Sequence, residues 1–229
     1  MKIIPNYKKY EFSLRTALMT RMLMACCVAV ALALLVAGCG GSPARKLLQD
    51  VEGWPQSPER FSVCKGYGCD EVVLTSLSSR EWARVEAVFV GPPGDAASER
   101  LKIAEAVGEM ERLVGLKTGT EADAPGAAII NFIRQGQMDC IDEAFNTTLY
   151  LRMMADAGLL RRHDVGEPAR RGYVVDGWPH NTATVHERDT GRGWAVDSWF
   201  HGNGVPPEIV PLEDWLDGWK PEKGKPARP

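Results

Sequence analysis

Apolar residues recur every three or four positions through three stretches of the chain and alternate with polar ones over much of its last third. Ser78-Ser79-Arg80-Glu81 sets a glutamate three places after a serine, the reciprocal pattern that occupies the first free N–H groups of a helix. Trp82, Val85, Val88 and Phe89 follow as its inner face, predicting a helix to about Phe89. Pro92-Pro93-Gly94 breaks the chain and Asp95 restarts it. Leu101, Ala104, Val107, Met110, Leu113 and Val114 then predict an amphipathic helix to about Gly115. A polar loop, 117–126, and an apolar segment, 127–133, lead to a third helix: Asp139 is its N-cap, Cys140 stands in its first turn, and it ends near Gly158. After a basic connection, 161–171, Gly172 to Val175, His180 to Glu187 and Trp194 to Phe200 read as strands, with hairpin-turn chemistry at Asp189-Thr190-Gly191-Arg192-Gly193. Trp215 to Trp219 reads as a last docked turn. Helices first and an antiparallel meander after them predict an α+β domain, N-terminal helices packed on a small antiparallel sheet.

The first 38 residues carry a different pattern. Five basic residues, Lys2, Lys8, Lys9, Arg15 and Arg21, precede an uncharged run from Met22 to Gly38, which reads as an export signal rather than as fold. Val36-Ala37-Gly38-Cys39 resembles the lipobox of bacterial lipoproteins. That resemblance implies that Cys39 is lipidated and becomes the first mature residue, anchoring the chain to the cell envelope with its body facing the periplasm, the outer membrane being the habitual destination. The division expected is 1–38 signal peptide, 39–59 flexible tether rich in Gly, Pro, Ser and charge, 60–219 domain and 220–229 loose tail. Net charge is −3 for the whole chain and −7 from Cys39 onward, and no basic run interleaves with aromatic residues, so nucleic acid binding has no support.

Cysteine usage fits an oxidising compartment. Cys64-Lys65-Gly66-Tyr67-Gly68-Cys69 is a short glycine-bearing loop whose two thiols are expected to form a disulfide, and it lacks the further ligands of a zinc site. Cys140 is the odd thiol. At the start of a helix it meets the positive end of the dipole and unpaired N–H groups, which favour a thiolate and an oxyanion forming beside it. A buried, inert cysteine is the commoner reading of such a residue on its own.

The residues downstream change that balance. A thiolate hydrolase needs a base that returns the proton to the leaving group, and a third residue to fix the tautomer of that base. The order Cys140, His180, Asp197 supplies them, with Asp197 in Gly193-Trp194-Ala195-Val196-Asp197 on the strand after that of His180. With Asp139-Cys140-Ile141-Asp142-Glu143-Ala144, these segments resemble the transglutaminase-like cysteine peptidase superfamily over 136–199, a papain-like core. The resemblance implies that Cys140 is the nucleophile, His180 the base and acid, and Asp197 the orienting carboxylate. It also implies a hydrolase acting through an acyl-thioenzyme on a peptide or isopeptide amide of a peptide or protein substrate; an amine acceptor would make it a transglutaminase instead. A non-catalytic lipoprotein that binds a partner on the same scaffold is the alternative from another class. Gln137, ahead of Gln135, is the candidate side-chain donor to the oxyanion, against the reading of both as solvated loop. His186 competes with His180, because a two-residue turn at Gly191-Arg192 would set it opposite Asp197, whereas a bulge at Gly191 or Gly193 returns Asp197 toward His180. His163 reads as a solvated helix end and His201 as loop. Asp139, Asp142 and Glu143 are expected to serve the helix N-terminus, and Trp178, Trp194 and Trp199 to fill core or wall a cleft. With no glycine-rich phosphate loop and no ligand cluster, neither a cofactor nor a metal is implied.

Overall fold

The computed structural model describes residues 42–51, 55–126, 136–172 and 179–222, all within one compact unit, Gly41–Pro229. The export segment, Cys39, the expected strand beyond Gly172, Trp178, Gln135, the apolar segment 127–133 and the end of the tail lie outside the described residues. Among those described, no helix is long and apolar enough to cross a membrane.

The first element corrects the expected tether. Pro43–Val51 is a helix, α1, opened by a proline at the position where a missing N–H costs nothing. Ala44 and Leu48, one turn apart, are fully buried against Cys64, Ala144, Phe145 and Leu149. Gly-, Pro- and Ser-rich flanks obscured a short run of good helix formers with apolar residues at the right spacing.

Strands β1 (Phe61–Lys65) and β2 (Glu71–Thr75) form an antiparallel hairpin, Phe61 opposite Thr75 and Lys65 opposite Glu71. Its loop is closed by a disulfide between Cys64 and Cys69. Helix α2 (Ser79–Val88) has the predicted capping box, the Ser78 side chain accepting from the Glu81 N–H and the Glu81 carboxylate accepting from the Ser78 N–H. Asp95 caps α3 (Ala96–Thr118), which stops at Gly119 in the left-handed conformation that glycine adopts without penalty. Ile103, Val107, Met110 and Val114 form its core stripe; Leu101 faces out. A Cβ at Gly108 would stand 3.1 Å from the Gly204 carbonyl and from the Pro206 nitrogen, so its absence lets the 204–206 segment lie on the helix.

Helix α4 (Cys140–Asp156) runs through the centre, buried almost all round. A five-stranded antiparallel sheet packs on it: β3 (His163–Val165), β4 (Ala169–Arg171), β5 (His180–Glu187), β6 (Gly193–Asp197) and β7 (Glu208–Pro211), in the order β3-β5-β6-β7. β3 and β4 share one edge of β5, β3 along 185–187 and β4 along 180–182. Helix α5 (Leu212–Leu216) follows β7 directly and buries Trp215. The molecule is α+β, with the helical layer and the hairpin closing a common core against β5, β6 and β7.

Candidate active site

The start of α4 is fixed from two sides. Asp139 Oδ1 accepts from the N–H groups of Ile141 (2.9 Å) and Asp142 (3.1 Å), and its carbonyl accepts from Glu143. The cap does not take up the N–H of Cys140, for which no partner is seen among the described residues. Asp142 returns the favour by accepting from the Asp139 N–H, and its carboxylate also accepts from Tyr67 (2.8 Å) and Cys69 (2.6 Å) in the disulfide loop. Across that loop Gly66, Tyr67, Gly68 and Cys69 all have positive φ, which for Tyr67 and Cys69 is a strained conformation held by its surroundings. The loop is thus a bracket on the first turn of α4. Asn146, two turns on, pairs with both the N–H and the carbonyl of Cys64.

The register of β5 and β6 decides between the competing histidines. The connection spans four residues, Arg188 to Gly191, closed by the Glu187 N–H donating to Arg192 and the Gly191 N–H to Glu187. Ala183 faces Val196 and His186 faces Gly193. A turn centred two residues earlier than the tight one considered above slides Asp197 along β5 from the level of His186 to that of Thr182, and His180 is the next residue on that face. No bulge is involved. His180 Nε2 and Asp197 Oδ2 stand 2.7 Å apart, both side chains buried.

The Cys140 sulfur is close enough to act on the imidazole, and with Nε2 engaged by Asp197 the other ring nitrogen is left to it. Burial lowers the basicity of His180, but the charge and hydrogen bond of Asp197, with a smaller effect from Cys140, outweigh it and raise its pKa to about 9. Trp199 (ring centroids 4.6 Å apart), Phe200 and Trp215 enclose the imidazole. The Trp215 indole N–H also donates to Asp197 Oδ2 at 2.6 Å. Cys140 is free and partly exposed; its sulfur lies 3.9 Å from the Pro179 carbonyl and 3.5 Å from Asn181 Nδ2.

Beneath the first turn of α4 four carboxyls crowd together. Burial raises Glu111 to about 7, opposed by the Gly204 N–H, and raises Asp123 to about 6, opposed chiefly by the Met138 N–H. Asp142 rises to about 7 through burial and the nearby Asp139 charge, despite the N–H groups it accepts. Glu143 is pushed well up by burial and by Glu111, Asp123 and Asp142. These acids brace the helix start, and each holds its proton to a higher pH than an ordinary carboxyl.

Cys140, His180 and Asp197 therefore converge in series. Gln137 is placed differently: its Nε2 donates to the Ala122 carbonyl (2.9 Å) and its Oε1 accepts from the Ala124 N–H (3.2 Å), so the carboxamide pins the preceding loop instead of serving an oxyanion. His163 is fully buried, not solvated, its Nδ1 2.8 Å from Glu99 Oε2, because Glu99 also gathers the N–H groups of Arg161 and Arg162. His201 pairs with Glu208. Trp194 lies under Arg100 (3.5 Å) on the sheet, and of the two anticipated tryptophans among the described residues it is Trp199 that packs on the imidazole. Asn181, Ser42, Trp215 and Phe200 were missed. For Asn181 a signal existed: an asparagine inside His180-Asn181-Thr182-Ala183-Thr184-Val185 is a poor strand former in a buried position. Comparison of the chain with protein-family models, with curated proteins and with solved structures finds no match.

Proposed function

We propose that the protein is a cysteine hydrolase with a transglutaminase-like core, lipid-anchored through Cys39 to the cell envelope and facing the periplasm, which cleaves a peptide or isopeptide amide through an acyl-thioenzyme. The observation that carries this reading is the grouping of Cys140, His180 and Asp197, with Nε2 of His180 held by a buried carboxylate at 2.7 Å and the Cys140 sulfur near enough to act on the same ring. An imidazole whose pKa is near 9 keeps its proton at neutral pH, which supports an ion pair with a thiolate. The sulfur would attack the amide carbon, and the carbonyl oxygen, as an oxyanion, would accept from the N–H of Cys140. His180 then protonates the departing nitrogen as the C–N bond breaks, leaving a thioester. Water, deprotonated by His180, attacks the thioester; the C–S bond breaks, a carboxylic acid leaves and gives up its proton to solvent, and the thiolate and imidazolium are restored. The Cys64–Cys69 disulfide and the Val36-Ala37-Gly38-Cys39 motif support the exported setting.

Alkylation by iodoacetamide at pH 7, read as the rate of mass gain on the peptide containing Cys140, tests the reading. The folded chain is expected to react at least tenfold faster than the same chain in denaturant, and His180→Ala is expected to remove the difference. A folded rate at or below the denatured rate would leave a binding protein on this scaffold as the better account.

A further inference from the structure

Asn181 occupies a position that neither packing nor strand pairing explains. It is buried on β5, its backbone is paired with Arg170, and its side-chain amide runs from the sulfur of Cys140 to the N-terminal segment. Nδ2 lies 3.5 Å from Sγ, and Oδ1 accepts from the Ser42 hydroxyl at 2.8 Å. The hydroxyl sets the amide: with Oδ1 held by a donor, the NH₂ end is the one turned to sulfur. Ser42 is itself anchored, since its carbonyl accepts from Arg45 and Lys46 at the start of α1, and α1 is locked onto α4 by Ala44 and Leu48. Successive strand residues point to opposite faces. His180 accordingly turns to Asp197 and Asn181 to Ser42, and Cys140 lies at the strand end where it meets both.

An atom bonded to sulfur brings its oxygen within about 3 Å of groups that now border the sulfur. Two donors stand by it: the N–H of Cys140, for which no partner is seen among the described residues, and Asn181 Nδ2. We propose that Asn181 is a further catalytic residue, its amide forming an oxyanion hole together with the Cys140 N–H, and that Ser42 is the positioning residue that orients it. The proposal takes the place left by Gln137, whose carboxamide is occupied elsewhere. It rests on the reading of Cys140 as nucleophile, and the test separates the two.

Alkylation by iodoacetamide and acylation by 4-nitrophenyl acetate make different demands. The first is displacement at a saturated carbon and forms no oxyanion; the second passes through a tetrahedral oxyanion. Both rates are to be followed at Cys140 by peptide mass in the full chain, with folding checked by circular dichroism. Asn181→Ala is expected to slow acylation by about 10²- to 10³-fold, the usual effect of losing one oxyanion donor, while alkylation changes less than about threefold. Asn181→Leu, which keeps the volume and lacks the donor, is expected to do the same, so a poorly folded alanine variant does not decide the matter. Ser42→Ala is expected to slow acylation about three- to tenfold and leave alkylation unchanged. Acylation within about threefold of the parent chain in Asn181→Leu overturns the assignment, as does a parallel fall of both rates in folded Asn181→Leu. If the parent chain shows neither fast alkylation nor acylation, the nucleophile reading has failed, and this assignment with it; fast alkylation in the parent with insensitive acylation rejects Asn181 alone.

Discussion

Trp215 ties the Asp197 carboxylate to the last helix. Asp197 Oδ2 accepts from both the His180 ring and the Trp215 indole, while Oδ1 is buried without a hydrogen-bond partner among the described residues. Removing the indole N–H leaves that carboxylate one donor poorer in a dry setting. Trp215→Phe keeps a ring against the imidazole and beneath the Arg171 guanidinium. It is expected to lower the unfolding free energy by about 1–3 kcal/mol in a urea titration, the usual effect of depriving a buried acceptor, and to slow acylation of Cys140 about tenfold. At this scale the sequence shows the reactive types and hides their supports. Cys140, His180 and Asp197 are legible because few side chains carry nucleophilic or proton-transfer chemistry, and their order restricts the choice further. Ser42 and Asn181 are 139 positions apart and meet only because α1 docks, an event that no local pattern announces. His163 misleads for the same reason: the acid that buries it, Glu99, is 64 positions earlier.

The helices were legible as elements because caps and period both mark them; α2 and α3 carry capping boxes where Ser78 and Asp95 stand. The strands were less so. β3, β4 and β7 are three or four residues long, too short for alternation to declare itself, and the choice between the histidines of β5 turned on where the turn is centred, which Asp189-Thr190-Gly191-Arg192 does not dictate. The β1–β2 hairpin was visible as a disulfide loop but not as the bracket on α4. Its role can be measured. A chain-entropy estimate for so short a loop is about 2 kcal/mol, and two non-glycine residues of left-handed backbone oppose the loop's formation once the bridge is gone. The double substitution Cys64→Ser, Cys69→Ser is therefore expected to lower the denaturation midpoint by an amount of that order and to slow iodoacetamide alkylation of Cys140. Alkylation at the parent rate in the variant without the bridge would show that Asp142 holds the helix start without help from the loop.

For the whole molecule the buried acids and His180 set the dependence of stability on pH. Glu111 and Asp142, at about 7, and Asp123, at about 6, lie above their ordinary values of 4.5 and 3.8, so the folded chain holds protons that the unfolded chain would release. Their contribution is whole below about pH 4 and is lost as pH rises through 6 to 7. His180, at about 9 against an ordinary 6.5, acts in the same direction: its contribution is complete below 6.5 and is lost on rising through 9. Unfolding free energy is therefore expected to fall from pH 5 to pH 9 in two steps, with Glu111→Gln flattening the first and His180→Ala the second; thermal denaturation across that range checks it. A profile that rises over the interval would contradict the protonated brace. The bracket that the Cys64–Cys69 bridge places on α4 has one more effect when the life of the chain is considered. Under reducing conditions both thiols would be open and the first turn of α4 unclasped; oxidation would complete the clasp, so the order of the helix start that carries Cys140 is tied to the redox state of its surroundings.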